Sequence, residues 1–147
     1  MVKEKLIPFP QANNVKLMID LLIAIALKGN QKEMPNIVPR QIQYYKKALQ
    51  YFEMLDNKDR VTLKGKYILE ERSISEQNRM FRNLIIAKPV FKEVEEYINL
   101  TKQMPTIEII SRFIGNYYSY NDTTLRRRAN AVISIFKYLE DLKKGDI

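Results

Sequence analysis

The sequence predicts a mainly α-helical fold of two tandem helix-turn-helix subdomains, the first followed by one short β-hairpin. Three observations carry that expectation. Apolar residues recur at helical spacing in most segments of the chain. Proline, glycine, asparagine, serine and threonine stand between those segments, where helices start and stop. Finally, Pro39–Leu55, PRQIQYYKKALQYFEML, reads as a basic amphipathic helix that runs straight into DNKDRVTLKGK, a polar turn and a short basic alternating segment.

Each element follows from local chemistry. Pro8 and Pro10 make the entry extended, because each fixes its own φ and disfavours the helical region for the residue before it. Asn13 or Asn14 caps a helix through VKLMIDLLIAIALK, stopped by Gly29. Val15, Met18, Leu22 and Ile25 fall at helical spacing, and Leu17, Leu21 and Ile23 widen the stripe, so this helix is expected to be central to a core. QKEMPNI is a brief helical turn at best, hemmed in by Pro35 and Pro39. Pro39 suits the first turn of its helix, where no N–H is needed, and Ile42, Tyr45, Leu49, Phe52 and Leu55 form the inward stripe. Asp56–Asp59 is a turn, and Thr62, or Lys64-Gly65, opens another helix-prone stretch. Ser75 is expected to cap EQNRMFRNLIIA, with Met80, Phe81, Leu84 and Ile85 inward. Pro89 restarts the chain as a helix with Val90, Phe91, Val94, Tyr97 and Ile98 apolar, and Thr106 caps IEIISRFI. A tyrosine-rich loop, Gly115–Tyr120, leads through Asn121-Asp122 to a long last helix whose apolar side carries Leu125, Ala129, Val132, Ile133, Phe136 and Leu139 before Gly145.

These pieces fall into a loose duplication. Each half runs helix, short helix, then a helix with a positive N-terminal half and an apolar C-terminal half. The expected subdomains are residues 1–72, bearing the hairpin, and 73–147, without one, sharing a core.

Composition narrows the chemistry. Twenty-five Lys and Arg against seventeen Asp and Glu give a formal charge of +8, with a pI near 9.6. That surplus favours a polyanionic partner. With no cysteine, disulfides and thiolate metal sites are excluded; with no histidine, the commonest general base and metal ligand is missing. The longest apolar run, Leu17–Leu27, is broken by Asp20 and falls short of the ~20 residues that span a bilayer. The start does not read as a signal peptide, since Lys3, Glu4 and Lys5 precede IPFP rather than an apolar core. A soluble cytoplasmic protein is expected.

No catalytic pattern emerges. Metal-dependent nucleases of the restriction type need an Asp followed later by Glu-x-Lys, and no Glu-x-Lys occurs. Asp56-Asn57-Lys58 and Asp141-Leu142-Lys143 match only Asp-x-Lys, in a turn and at a helix end. Glu93, Glu95 and Glu96, the main acidic cluster, are expected to spread over a solvated helix face. Four glycines form no phosphate loop, and no metal or cofactor is expected.

The basic helices point elsewhere. A basic, amide-bearing helix entering a basic hairpin is the outline of a winged helix-turn-helix, whose helix enters the major groove while the wing touches the backbone. Arg40, Gln41, Gln43 and Tyr44 occupy the first turn and a half, where side chains reach base edges. Tyr45, about 100° further round, is the buried member of the tyrosine pair. Lys46, Lys47, Lys58, Arg60, Lys64 and Lys66 are expected near phosphates. On the last helix Arg126, Arg127 and Arg128 point three ways, and Thr123, Thr124, Arg126, Arg127 and Asn130 are the candidate contacts. Such residues otherwise serve as solubilising charges whose stems cover apolar surface.

Ile7-Pro8-Phe9-Pro10, Ala12-Asn13, Arg40-Gln41, Tyr44-Tyr45, Leu63 with Gly65, Pro89-Val90-Phe91 and Thr124-Leu125-Arg126-Arg127-Arg128-Ala129 occur in an order that resembles a family of winged-helix domains. These are found alone and attached to bacterial type II restriction endonucleases. The similarity spans nearly the whole chain; it departs between Glu33 and Arg40, where prolines replace the usual helix end and glycine turn. The resemblance implies target recognition in a restriction-modification or defence system, with cleavage carried by another domain or subunit. The expected function is therefore non-catalytic, sequence-specific binding of double-stranded DNA. A stand-alone winged-helix transcription regulator is the alternative, and a module for an acidic protein partner is a third class.

Overall fold

The computed structural model describes residues 7–27 and 39–143. Among them are seven helices: α1 (Val15–Ala26), α2 (Pro39–Tyr51), α3 (Leu63–Glu70), α4 (Ile74–Ile86), α5 (Pro89–Thr101), α6 (Ile107–Gly115) and α7 (Asp122–Lys143). The expected turn in QKEMPNI, the shortened connection before Pro39 and the stops at Gly29 and Gly145 lie outside the described residues.

Side-chain caps set most helix starts. Asn14 Oδ1 accepts from the Leu17 N–H, Thr106 Oγ1 from Ile109, and Asn121 Oδ1 from Thr124. Each satisfies a donor that a helix N-terminus leaves without a partner. The serine cap is two residues earlier than expected: Ser73, not Ser75, accepts from the Glu76 N–H and starts α4 at Ile74. Ser73 with Glu76 three residues on has the Ser-x-x-Glu spacing of a capping box, which Ser75 lacks. Pro89 opens α5 at its first turn.

The expected β-hairpin wing is not there: among the described residues there is no strand, only an isolated antiparallel bridge between Leu55 and Val61. The physical reason lies on both sides of the turn. α2 stops at Tyr51 rather than Leu55, where Glu53 takes a left-handed φ of 65° and Met54 and Leu55 both donate to the Leu49 carbonyl. Beyond the turn, Thr62 accepts from the Gly65 N–H and caps α3 at once. A helix start therefore takes the residues that a return strand would have used. The turn itself is held by Asp56 Oδ1, which accepts from the Lys58 and Arg60 N–H groups at 2.8 and 2.9 Å.

The core is one cluster drawn from both sides of residue 72. Phe91 sits at its centre, stacked near Phe9 and Phe136 with ring centroids 5.6 and 6.0 Å away, and meets Phe52 edge-on at 5.2 Å. The long α7 contributes Ala129, Val132, Ile135, Phe136 and Leu139. Helix α1 is less central than its sequence suggests. It buries Val15, Met18, Leu21 and Leu22 but leaves Ile23 40% and Leu27 76% exposed, because α2 covers it along one face.

The entry segment is pinned by the loop between α6 and α7. Residues 116–121 make that loop longer than the roughly three- to four-residue turn of a helix-turn-helix. The extra length carries tyrosines. Tyr120 Oη accepts from the Phe9 N–H at 3.0 Å, and Tyr118 Oη donates to the Ile7 carbonyl at 2.6 Å. The two rings stack with centroids 5.2 Å apart, and burial pushes the Tyr118 hydroxyl up to about 12.

Candidate nucleic-acid interface

Tyr44 and Tyr45 divide as helical geometry requires: Tyr45 is 5% exposed and Tyr44 46%. Burial raises the Tyr45 pKa, while the backbone amides of Asn14 and Asn13 beside its hydroxyl pull the other way. That contact ties α2 to the cap of α1 and brings Asn13 beside the start of α2. The three consecutive arginines of α7 also separate. Arg126 turns to α6 and donates to Glu108 at 2.7 Å. Arg128 is buried, its guanidinium 5.2 Å from the Tyr120 ring centre and its Nε without a hydrogen-bond partner. Arg127 faces α2.

The result is a concavity of about 390 Å³ lined by Gln11, Asn13, Arg40, Gln41, Tyr44, Tyr45 and Arg127. It joins the basic starts of the two helices singled out by the sequence. Arg40, Gln41, Tyr44 and Arg127 are brought together here. Gln11 and Asn13 were not foreseen as contacts; the signal was their place in the Pro8–Asn14 entry. Neither Arg40 nor Arg127 has an ion-pair partner among the described residues.

The remaining candidates are elsewhere. Gln43, Lys47, Thr123 and Asn130 are exposed outside this concavity, and Thr124 is half-buried with its N–H on the Asn121 cap. Lys58 and Lys66 are exposed, Lys58 on the turn after α2. Four expected DNA contacts already have carboxylate partners. Lys46 lies 3.7 Å from Asp59, Arg60 2.9 Å from Asp56, Lys64 2.8 Å from Glu53 and Arg126 2.7 Å from Glu108. A phosphate would have to displace those acids, so these cations are poorer contacts than charge alone suggests. Glu53 also holds Lys88 at 2.7 Å, and the two ammonium groups hold its carboxyl down to about 2.

The acidic cluster on α5 departs from the expected solvated face. Glu95 pairs with Arg82. Glu93 has one buried oxygen without a partner, and burial raises its pKa against the opposing hydrogen bond from Tyr117. Among the described residues no helix is long and apolar enough to cross a membrane.

The chain matches a family model over residues 16–144, described as a domain of unknown function, DUF7226. No curated protein and no solved structure matches it.

Proposed function

For a chain that belongs to the DUF7226 family, we propose non-catalytic binding of double-stranded DNA through the surface on which the starts of α2 and α7 meet. The observation that carries this reading is the shared concavity of Arg40, Tyr44 and Arg127. Two guanidiniums with no carboxylate partner among the described residues can each give two parallel hydrogen bonds to a phosphate or a guanine edge. A half-exposed tyrosine in the same concavity adds apolar contact, and the +8 charge of the chain supports attraction to a polyanion.

The reading does not depend on a wing. Its contacts come from two helix starts and the entry segment. The resemblance to domains attached to restriction endonucleases supports a further step, in which binding selects targets for a separate cleaving domain or subunit.

Titration of random-sequence duplex at two salt concentrations tests the proposal. Binding at low salt that weakens steeply at high salt is expected, because the phosphate contribution is independent of sequence. Absence of binding at low salt would overturn it. Arg127→Ala should weaken binding more than Lys64→Ala, whose ammonium is engaged by Glu53.

A further inference from the structure

A helix that reads the major groove presents a convex edge to the bases. Here two arginines with no ion-pair partner among the described residues and the exposed tyrosine instead line a hollow, and its volume of about 390 Å³ exceeds what a phosphate group alone would fill. The lining chemistry is divided. Arg40 and Arg127 supply planar cationic donors suited to phosphate oxygens. Tyr44, 46% exposed, offers a ring on which a base can stack, and the carboxamides of Gln11 and Asn13 carry the donors and acceptors that a base edge matches. The Tyr45 hydroxyl is hydrogen-bonded to the Asn13 and Asn14 backbone.

We propose that this hollow takes one unpaired nucleotide, its 5′-phosphate between Arg40 and Arg127 and its base against Tyr44. The inference rests on the nucleic-acid reading of the same surface. A nucleotide extruded from a bound duplex is one source of this chemistry, and a free mononucleotide is the other. Extrusion costs least where the nucleotide is already unpaired, so a bulge is the substrate that exposes the preference.

Fluorescence anisotropy at one salt concentration compares a fully paired duplex with the same duplex carrying a single-nucleotide bulge. The bulged duplex should bind about tenfold more tightly, the scale of one stacked base. Tyr44→Ala should bring the ratio of the two affinities to about one, and Tyr44→Phe should restore it, as expected of a stacking ring. Equal affinities in the unsubstituted chain would overturn the nucleotide pocket while leaving duplex binding intact. If neither duplex binds, the proposed function fails, and NMR titration with deoxynucleoside 5′-monophosphates and with inorganic phosphate decides the pocket. Mononucleotide binding that is lost in Tyr44→Ala would support it with a free nucleotide as ligand. Inorganic phosphate binding as well as the mononucleotides, or no binding of either, would overturn it.

Discussion

Gly65 shows how one missing side chain can set a local fold. A Cβ there would lie 2.6 Å from the Met54 carbonyl oxygen and 2.9 Å from Val61 Cγ1. Neither neighbour is the free end of a flexible chain, so Gly65→Ala must push α3 off the turn. A loss of about 1–3 kcal/mol is expected, the range for overpacking a tight contact. Urea unfolding would read it as a lower midpoint, and an unchanged midpoint would refute the close approach. Glu53 makes a prediction in pH. Lys64 and Lys88 lower its carboxyl from 4.5 to about 2, so the ionised form favours the folded chain. Its contribution is complete above about 4.5 and is lost as pH falls towards 2. The carboxylate is half-exposed, so water and salt reduce the effect. Glu53→Gln should flatten the stability profile between those pH values, and an unaltered slope would count against the pairing.

Among the elements, α3 replaces the expected wing, and Thr62 is the residue that decides it. Its hydroxyl donates to the Glu53 carbonyl at 2.6 Å while accepting from the Gly65 N–H at 3.1 Å. Thr62→Ala removes both bonds, and a cost of about 1–2 kcal/mol is expected from the loss of a helix cap. Thermal unfolding measures it; a cost of only a few tenths would show that the turn, not the cap, positions α3. The alternation in Arg60–Lys66 was visible in the sequence, but so was Thr62. A strand needs a partner whose hydrogen-bonding groups are available, whereas a capped helix satisfies its own. Helix boundaries at Asn14, Thr106 and Asn121 were legible because a polar side chain at each position closes a bond within three residues. The separation of Arg126, Arg127 and Arg128 was equally legible, since it follows from the helical angle alone.

For the whole molecule, the distribution of ion pairs matters more than net charge. Counting all charged candidates, Arg40, Lys46, Lys47, Lys58, Arg60, Lys64, Lys66, Arg126 and Arg127, would give a salt slope near −8 for duplex binding, at roughly −0.9 per neutralised phosphate. Removing the four that already hold carboxylates leaves Arg40, Lys47, Lys58, Lys66 and Arg127 and a slope of about −4 to −5. Affinity measured across a salt series separates the two values. The steeper slope would mean that DNA displaces Asp56, Asp59, Glu53 and Glu108 from their cations.

The sequence by itself determined the helical class, most helix starts, the burial of Tyr45 beneath an exposed Tyr44, and the basic character of α2 and α7. These are consequences of spacing and of bonds closed within a few residues. Only the tertiary structure decided that Arg127 and Arg40 line one hollow, that Tyr118 and Tyr120 hold the entry segment, and that four cations are engaged by acids. Each of those depends on groups distant along the chain, and helical periodicity gives a side chain's direction without giving what it meets.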